Sequence, residues 1–240
     1  MSNGKISFNK MHFKAENIEK DCEELLACLD DDIRITIHEA PIRERKTFKL
    51  DRSGPGNPSG PEAKLERRIW RQWGPQRQTT EKFIPGVCEF VQSYWVPLYN
   101  AKNDGWAEID MLGVAPDLSP VVIELKTGKS TESLLRLIIE PVAYWIALRK
   151  NWYAPTSRLR SEWGEFVGNG PEKLEKLTLI CAAQKKYWDK ASGVKGVANR
   201  KEMLSLVCMQ TLLNTFKNNG FNIIFASIDD HDIFSIIPTG

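Results

Sequence analysis

Histidine is nearly absent from this chain: His12, His38 and His231 are the only 3 in 240 residues, and none lies near a serine or cysteine motif. That removes the visible basis for a nucleophilic triad, which needs an imidazole within hydrogen-bond reach of the attacking hydroxyl or thiol. Cysteine is scarce as well. Cys22, Cys28, Cys88, Cys181 and Cys208 are odd in number and scattered, with no Cys-x-x-Cys pair and no histidine at zinc spacing. They read as reduced thiols of a cytosolic protein. No Gly-x-x-x-x-Gly-Lys run exists to cradle phosphates, so a P-loop nucleotide motor is excluded. Long apolar stretches are missing too: Val142 to Leu148 is too short to cross a bilayer, and Met1 to Lys10 is polar, unlike a signal peptide. A soluble, cytoplasmic protein with no membrane partner is expected. Nor does one sign of charge dominate. Lys and Arg total 33 against 31 for Asp and Glu, a net +2, so any electrostatic footprint must be local.

What is present suffices for one dominant core with an appendage, since 42% of the 240 residues are hydrophobic. Ile18, Cys22, Leu25, Leu26 and Leu29 recur at helical spacing, and Ile33, Ile35 and Ile37 alternate as in a strand. From Arg52 to Pro61 the density of glycine and proline forbids regular structure. Residues 1–52 are therefore expected as a helix-and-strand appendage, 53–61 as a linker and 62–240 as the main domain. Pro61 suits the first position of a helix, where its missing N–H costs nothing, and that helix should run to Trp73 before Gly74-Pro75 stops it. Strands are expected over Val87–Leu98, Ala107–Val114 and Val121–Thr127, the last two joined by the turn from Ala115 to Pro120. Ser130–Arg149 follows as a helix apolar on nearly every side, kinked or restarted at Pro141. Leu177–Ala183 reads as a strand, Arg200–Asn218 as one helix closed by Gly220, and Phe221–Ile228 with Ile233–Ile237 as a final strand pair. This order predicts an α/β (α+β) fold, a mixed central sheet flanked by helices.

Within Val121 to Thr127, the two-residue period of a strand sets Val121, Ile123 and Leu125 on a core face and Glu124 with Lys126 on the other. A turn centred between Asp117 and Leu118 would pair residues whose numbers sum to about 235, bringing Asp110 opposite Leu125 and next to both Glu124 and Lys126. Two carboxylates converging beside an apolar core repel, so a divalent cation between them is expected if both stay ionised, and magnesium suits an oxygen-only setting. A nearby lysine can hold or help deprotonate an attacking water and offset charge growing on a phosphate.

An acidic residue at a strand end, a short hairpin, then Glu/Asp-x-Lys on the next strand is the core motif of the PD-(D/E)XK nuclease superfamily. Asp110 with Glu124-Leu125-Lys126 resembles it, and the resemblance spans roughly Pro61 to Trp145. It implies a restriction-endonuclease-like fold and metal-dependent hydrolysis of phosphodiester bonds, foremost in DNA, with RNA open to the same chemistry. It further implies that Asp110, Glu124 and the Leu125 carbonyl hold Mg2+, or Mn2+ in its place, and that Lys126 positions water. The family's preceding helix often adds an acidic residue; Glu66, on the stripe with Ile69, Trp70 and Trp73, takes that place, and Glu62 one turn earlier is its rival. Subfamilies similar to RecB-type nucleases carry Gln-x-x-x-Tyr on the helix after the lysine. Glu140-Pro-Val-Ala-Tyr144 keeps that spacing with Glu for Gln, and a carboxylate cannot donate the hydrogen bond an amide can. Ile109 stands where the motif usually has proline.

From Gln184 to Lys201, Lys185, Lys186, Lys190, Lys195, Arg200 and Lys201 face a single acidic residue, Asp189, with Tyr187 and Trp188 interleaved. Cations for phosphates and rings for unpaired bases make this a candidate nucleic-acid clamp, set against a solvated loop. Of Arg67, Arg68 and Arg71 on the helix of Glu66, the first two either reach the phosphate backbone near the metal or solvate the helix's outer face. Asp229-Asp-His-Asp232 reads as a hairpin turn, not a metal cluster. Trp70, Trp73, Trp145 and Trp163 are expected to fill core or interface space, which leaves room for a homodimer. Against the nuclease stands a second class of function: a nuclease-like core without turnover, serving as a DNA-binding or assembly module.

Overall fold

The structure is a computed structural model that describes residues 18–28, 48, 50, 59–77, 80–97, 108–155, 158–174 and 177–239. The expected strand around Ile33 to Ile37 and most of the Gly/Pro linker lie outside the described residues. In chain order the elements are α1 (Ile18–Cys28), α2 (Pro61–Trp73), β1 (Phe90–Pro97), β2 (Glu108–Val114), β3 (Pro120–Lys126), α3 (Leu134–Tyr153), α4 (Leu159–Phe166), β4 (Leu177–Gln184), α5 (Lys185–Trp188), α6 (Arg200–Met203), α7 (Val207–Asn218), β5 (Phe221–Ile228) and β6 (Phe234–Ile237).

Among the described residues the strands form one six-stranded sheet in the order β1-β2-β3-β4-β5-β6. Its β1-β2-β3 meander and β5-β6 hairpin are antiparallel, while β3-β4 and β4-β5 are parallel. Parallel neighbours need crossovers, and two successive crossovers of the usual right hand in one direction put their helices on one face. Accordingly, buried side chains of α3 and α7 share one core with Val122, Leu179 and Phe225, while Leu65, Ile69 and Trp73 of α2 pack with Met111, Ile123 and Ala182 on the opposite face. The mixed α/β architecture matches the expectation. No described helix is long and apolar enough to cross a membrane.

The N-terminal segment belongs to the larger core. Ile18 and Cys22 of α1, and also Phe48 and Leu50, are buried there, and α1 packs on α7. Glu162 of α4 accepts hydrogen bonds from the amides of Phe48 (2.6 Å) and Leu50 (2.8 Å), and Gln92 Nε2 donates to the Leu50 carbonyl at 2.7 Å.

Local chemistry explains most boundaries. Pro61 opens α2 as expected, after Gly60 in an extended conformation. At Gly74 a Cβ would lie 2.4 Å from the Trp70 carbonyl oxygen, so only glycine lets the chain turn away there. The Asp229 carboxylate takes the amides of His231 (2.8 Å) and Ile233 (2.9 Å), which makes the acidic run the hairpin turn it was expected to be. Asp232, at φ 60°, binds Arg68 through Nε (2.8 Å) and Nη2 (2.9 Å), so this arginine ties α2 to the hairpin rather than reaching a phosphate. Arg200–Asn218 is two helices, because Leu206 is extended (ψ 141°) and restarts the chain as the cap of α7.

α3 does not restart at Pro141 but runs through it as one helix. A proline at this position deprives the Leu137 carbonyl, four residues earlier, of its amide donor. The buried Cys181 thiol on β4 donates to that carbonyl at 3.3 Å. Sheet and helix therefore repair the defect together. Cys181→Ala should cost about 1–3 kcal/mol by stranding a buried acceptor, and in a Pro141→Ala background, where the amide returns, the cost should shrink. Equal costs in both backgrounds, read from denaturant midpoints, would deny the coupling.

Candidate active site

The strand pairs run Met111 with Ile123, Leu112 with Val122, Gly113 with Val121 and Val114 with Pro120. Their numbers sum to 234, not 235, because the turn centres on Asp117, whose Oδ1 accepts from the Ser119 amide (3.0 Å) and hydroxyl (2.5 Å). One residue of register flips every side chain to the other face. Carried on by one position, the observed register sets Asp110 across from Glu124 on the face shared with Lys126, instead of opposite Leu125. Trp163 Nε1 donates to the Leu118 carbonyl (3.0 Å) and braces this turn from α4, an element that the sequence reading missed.

The ladder stops at Met111 with Ile123, and the Asp110 side chain replaces its next rung: Asp110 Oδ2 accepts from the Leu125 amide at 2.9 Å. In a strand a residue's N–H and C=O point the same way, so the Leu125 carbonyl faces this same opening beside Asp110. The sequence reading treated the face of Glu124 and Lys126 as opposite the core. In fact α3 covers it and β3 is buried at every position, with Glu124 only 1% and Lys126 4% exposed.

Lys126 sits among carboxylates. Its Nζ lies 2.6 Å from Glu124 Oε1, 2.8 Å from Glu132 Oε2 and 3.4 Å from Glu140 Oε2. Arg136 closes the group: Glu140 Oε1 accepts from its Nε (2.8 Å) and lies 2.7 Å from its Nη2, and Glu132 Oε1 lies 3.6 Å from Nε. Sequence reading had Lys126, Glu124 and Glu140 but not Glu132 or Arg136. The signal was available: Glu132, Arg136 and Glu140 are spaced four apart, one stripe of a helical approach.

The electrostatics follow from burial with an excess of negative charge. Burial pushes Glu124 well above the ordinary carboxyl range, and repulsion from Asp110 adds to it while Lys126 opposes. Asp110 is raised too, chiefly by burial. On α2, burial and then Asp110 raise Glu66 to about 9; burial raises Glu62 to about 7, against the pull of Lys126. Burial works against the Lys126 ammonium, but Glu124, Asp110 and Glu140 outweigh it and hold the proton on. Tyr144 is raised by burial and by Glu124 and Glu140, which sets its hydroxyl in the same field. Both rival carboxylates of α2 thus feel Asp110, and Glu66 is the more buried, at 2% exposed.

Among the described residues no group of three or more His, Cys, Asp or Glu side chains is arranged as a metal-ligand cluster. Magnesium asks for less, one or two carboxylates with water and substrate filling the rest. Asp110, Glu124 and the Leu125 carbonyl fit it as hard oxygen donors. The buried Oε2 atoms of Glu124 and Glu66 have no hydrogen-bond partner, which is costly unless a cation or a proton satisfies them.

The proposed clamp divides. Lys185, Lys186, Lys195 and Lys201 are exposed. Tyr187 and Trp188 are 0% and 1% exposed, so neither ring can stack on a base. Trp188 Nε1 donates to the Ala183 (3.1 Å) and Ala226 (3.0 Å) carbonyls, and buried Arg200 lies over the Tyr187 ring at 4.2 Å. Lys190 Nζ donates to the Ser130 carbonyl (2.6 Å), Tyr187 Oη to that of Glu132 (3.2 Å), and Gln184 Oε1 accepts from the Gly128 amide (2.9 Å). This segment is the seat on which the loop after Lys126 rests.

The raised carboxyls carry a signed expectation. Glu66 and Glu62 bind protons more tightly folded than unfolded, so their contribution to stability is whole below about pH 4.5 and is lost as pH rises towards 7 for Glu62 and 9 for Glu66. Metal-free protein should lose stability across that window in denaturant melts. Glu66→Gln should flatten the alkaline part, and an undiminished slope in that variant would assign the proton uptake to another group.

Compared with family models, with curated proteins and with solved structures, the chain has no match.

Proposed function

We propose that this chain is a magnesium-dependent deoxyribonuclease with a restriction-endonuclease-like core of the PD-(D/E)XK type. The observation that carries the reading is the meeting of Asp110, Glu124 and Lys126 on one buried face, where the strand ladder opens and Glu124 Oε2 has no partner. The site also lies at the C-terminal ends of the parallel strands β3 and β4, the edge where open α/β sheets bind ligands.

Asp110, Glu124 and the Leu125 carbonyl would hold the metal, and Glu66 would extend the set. When bound, magnesium polarises the scissile phosphoryl group and offsets the surplus of carboxylates. Asp110 keeps the opening in place through its bond to the Leu125 amide. Lys126, with Glu124, Glu132 and Glu140 within 2.6–3.4 Å holding its proton on, would serve as a fixed positive charge that orients water and stabilises charge growing on the phosphate. The apolar walls of β3 and α3 exclude bulk water and strengthen both effects. The exposed lysines 185, 186, 195 and 201 supply sequence-independent attraction for a DNA backbone.

Purified protein incubated with plasmid and linear DNA should cleave with Mg2+ or Mn2+ and not with chelator. Asp110→Ala and Lys126→Ala should each lower the rate by about 100-fold or more. Cleavage that survives both substitutions would locate the chemistry elsewhere. DNA binding without cleavage and without metal affinity would favour the non-catalytic module.

A further inference from the structure

Arg136 is unlike the other charged groups of the site. Its side chain is 50% exposed, whereas Lys126 beside it is 5% and Glu140 is 8%. Yet it is held firmly. Glu132 and Glu140 each give one oxygen to Arg136 and the other to Lys126, so four side chains close a ring with two positive and two negative members. These contacts use the Nε and Nη2 edge of the guanidinium. Lys126 also pairs with Glu124 at 2.6 Å, so the ring is joined to the acidic centre through its lysine.

A guanidinium fixed along one edge, with half its side chain in solvent and linked through shared carboxylates to the lysine of the site, suits a planar, charge-assisted contact to phosphate. Its position in the chain fits as well. Glu140 cannot donate a hydrogen bond outward, and the residue one helical turn before it carries donors in abundance. Rigid bracing also reduces the conformational cost of ordering a long side chain on binding. Exposed Lys129 and Lys186 stand nearby, the latter with its Cβ placed 2.7 Å from where a Cβ on Gly128 would be. They put two exposed cations at the loop that follows Lys126.

We propose that Arg136 is a substrate-binding residue that contacts a backbone phosphate of the nucleic acid, and that Glu132 and Glu140 are positioning residues that brace it against Lys126. This rests on the nuclease reading for the identity of the polyanion, but the experiment separates the two. Binding of a short labelled DNA duplex to the full chain is measured by anisotropy over a salt series with Ca2+ in place of Mg2+, for wild type, Arg136→Gln, Arg136→Lys and Glu132→Gln. Arg136→Gln should weaken binding about 10-fold irrespective of DNA sequence and lower the slope of log affinity against log salt by about one. Arg136→Lys should keep the slope and lose several-fold in affinity through the lost fork. Glu132→Gln should keep the slope, because the phosphate contact survives.

Wild-type affinity and slope in Arg136→Gln would overturn the inference and leave Arg136 as a structural counter-ion. If Arg136→Gln does not fold, Arg136→Lys decides: several-fold weaker binding supports the forked contact, and wild-type affinity overturns it. A wild-type chain that cleaves DNA while Arg136→Gln binds normally sinks this inference alone. Salt-sensitive DNA binding that depends on Arg136, without cleavage, sinks only the nuclease. No DNA binding by wild type sinks both.

Discussion

A single ammonium buried against β3 fixes the arrangement of everything near the site. Lys126 is 4% exposed, and no such cation persists in an apolar interior without anions at contact distance. Its three short approaches, to Glu124 on its own strand, Glu132 on the following loop and Glu140 on α3, recruit one carboxylate from each successive segment of chain. The loop cannot swing away without stranding Lys126, and α3 cannot slide along the sheet without stranding Glu140. Glu124 and Glu140 in turn would be intolerable so deep in the core without the lysine. Removing a partner from such a group leaves an uncompensated charge, whereas removing the whole group leaves merely an apolar contact. The arrangement is therefore poorly explained as a device for stability, which a few leucines would serve as well. It is better understood as the cost of keeping a polarised centre dry.

Much of this was legible beforehand. The two-residue period of Val121 to Lys126 paired Glu124 with Lys126, and Pro61 and Gly74-Pro75 marked both ends of α2. The register was off by one because hairpin arithmetic depends on where the turn centres, and here the Asp117 side chain, not loop length, decides that. Strand patterning could not reveal that both faces of β3 are covered, since a charged pair on a strand usually marks a wet face. Sequence likewise shows a proline in a helix but not the thiol from another element that completes it. The aromatics of the basic segment misled for a related reason: Tyr187 and Trp188 follow β4 at once, and a short helix there turns their rings inward between sheet and loop.

The division of labour between the sheet's faces also follows. The face under α2 carries the smaller apolar cluster, with the buried Glu66 on that helix, while the face under α3 carries both the larger apolar cluster and the charged centre. The charged centre can lie within a core because β2 and β3 part company after one hairpin. Asp110 occupies the place of the missing rung and keeps the Leu125 amide bonded. A sheet that stayed paired to its end would have no such opening.

Two pieces of the N-terminal fifty residues, α1 and the pair Phe48 and Leu50, are fastened to the main core. Ile18 and Cys22 hold α1 against α7, and Phe48 and Leu50 are held near α4 and β1, where Glu162 grips the backbone itself. Backbone amides held by a carboxylate are indifferent to the side chains they carry, so this fastening tolerates sequence drift in a way that a knob in a hole does not. A chain begun at Pro61 would keep every residue of the charged centre and still lack four plugs of its larger core, with the buried Glu162 carboxylate left without its two amide donors. Trimming to the residues around the charged centre would thus leave that centre whole and open the larger core along its side.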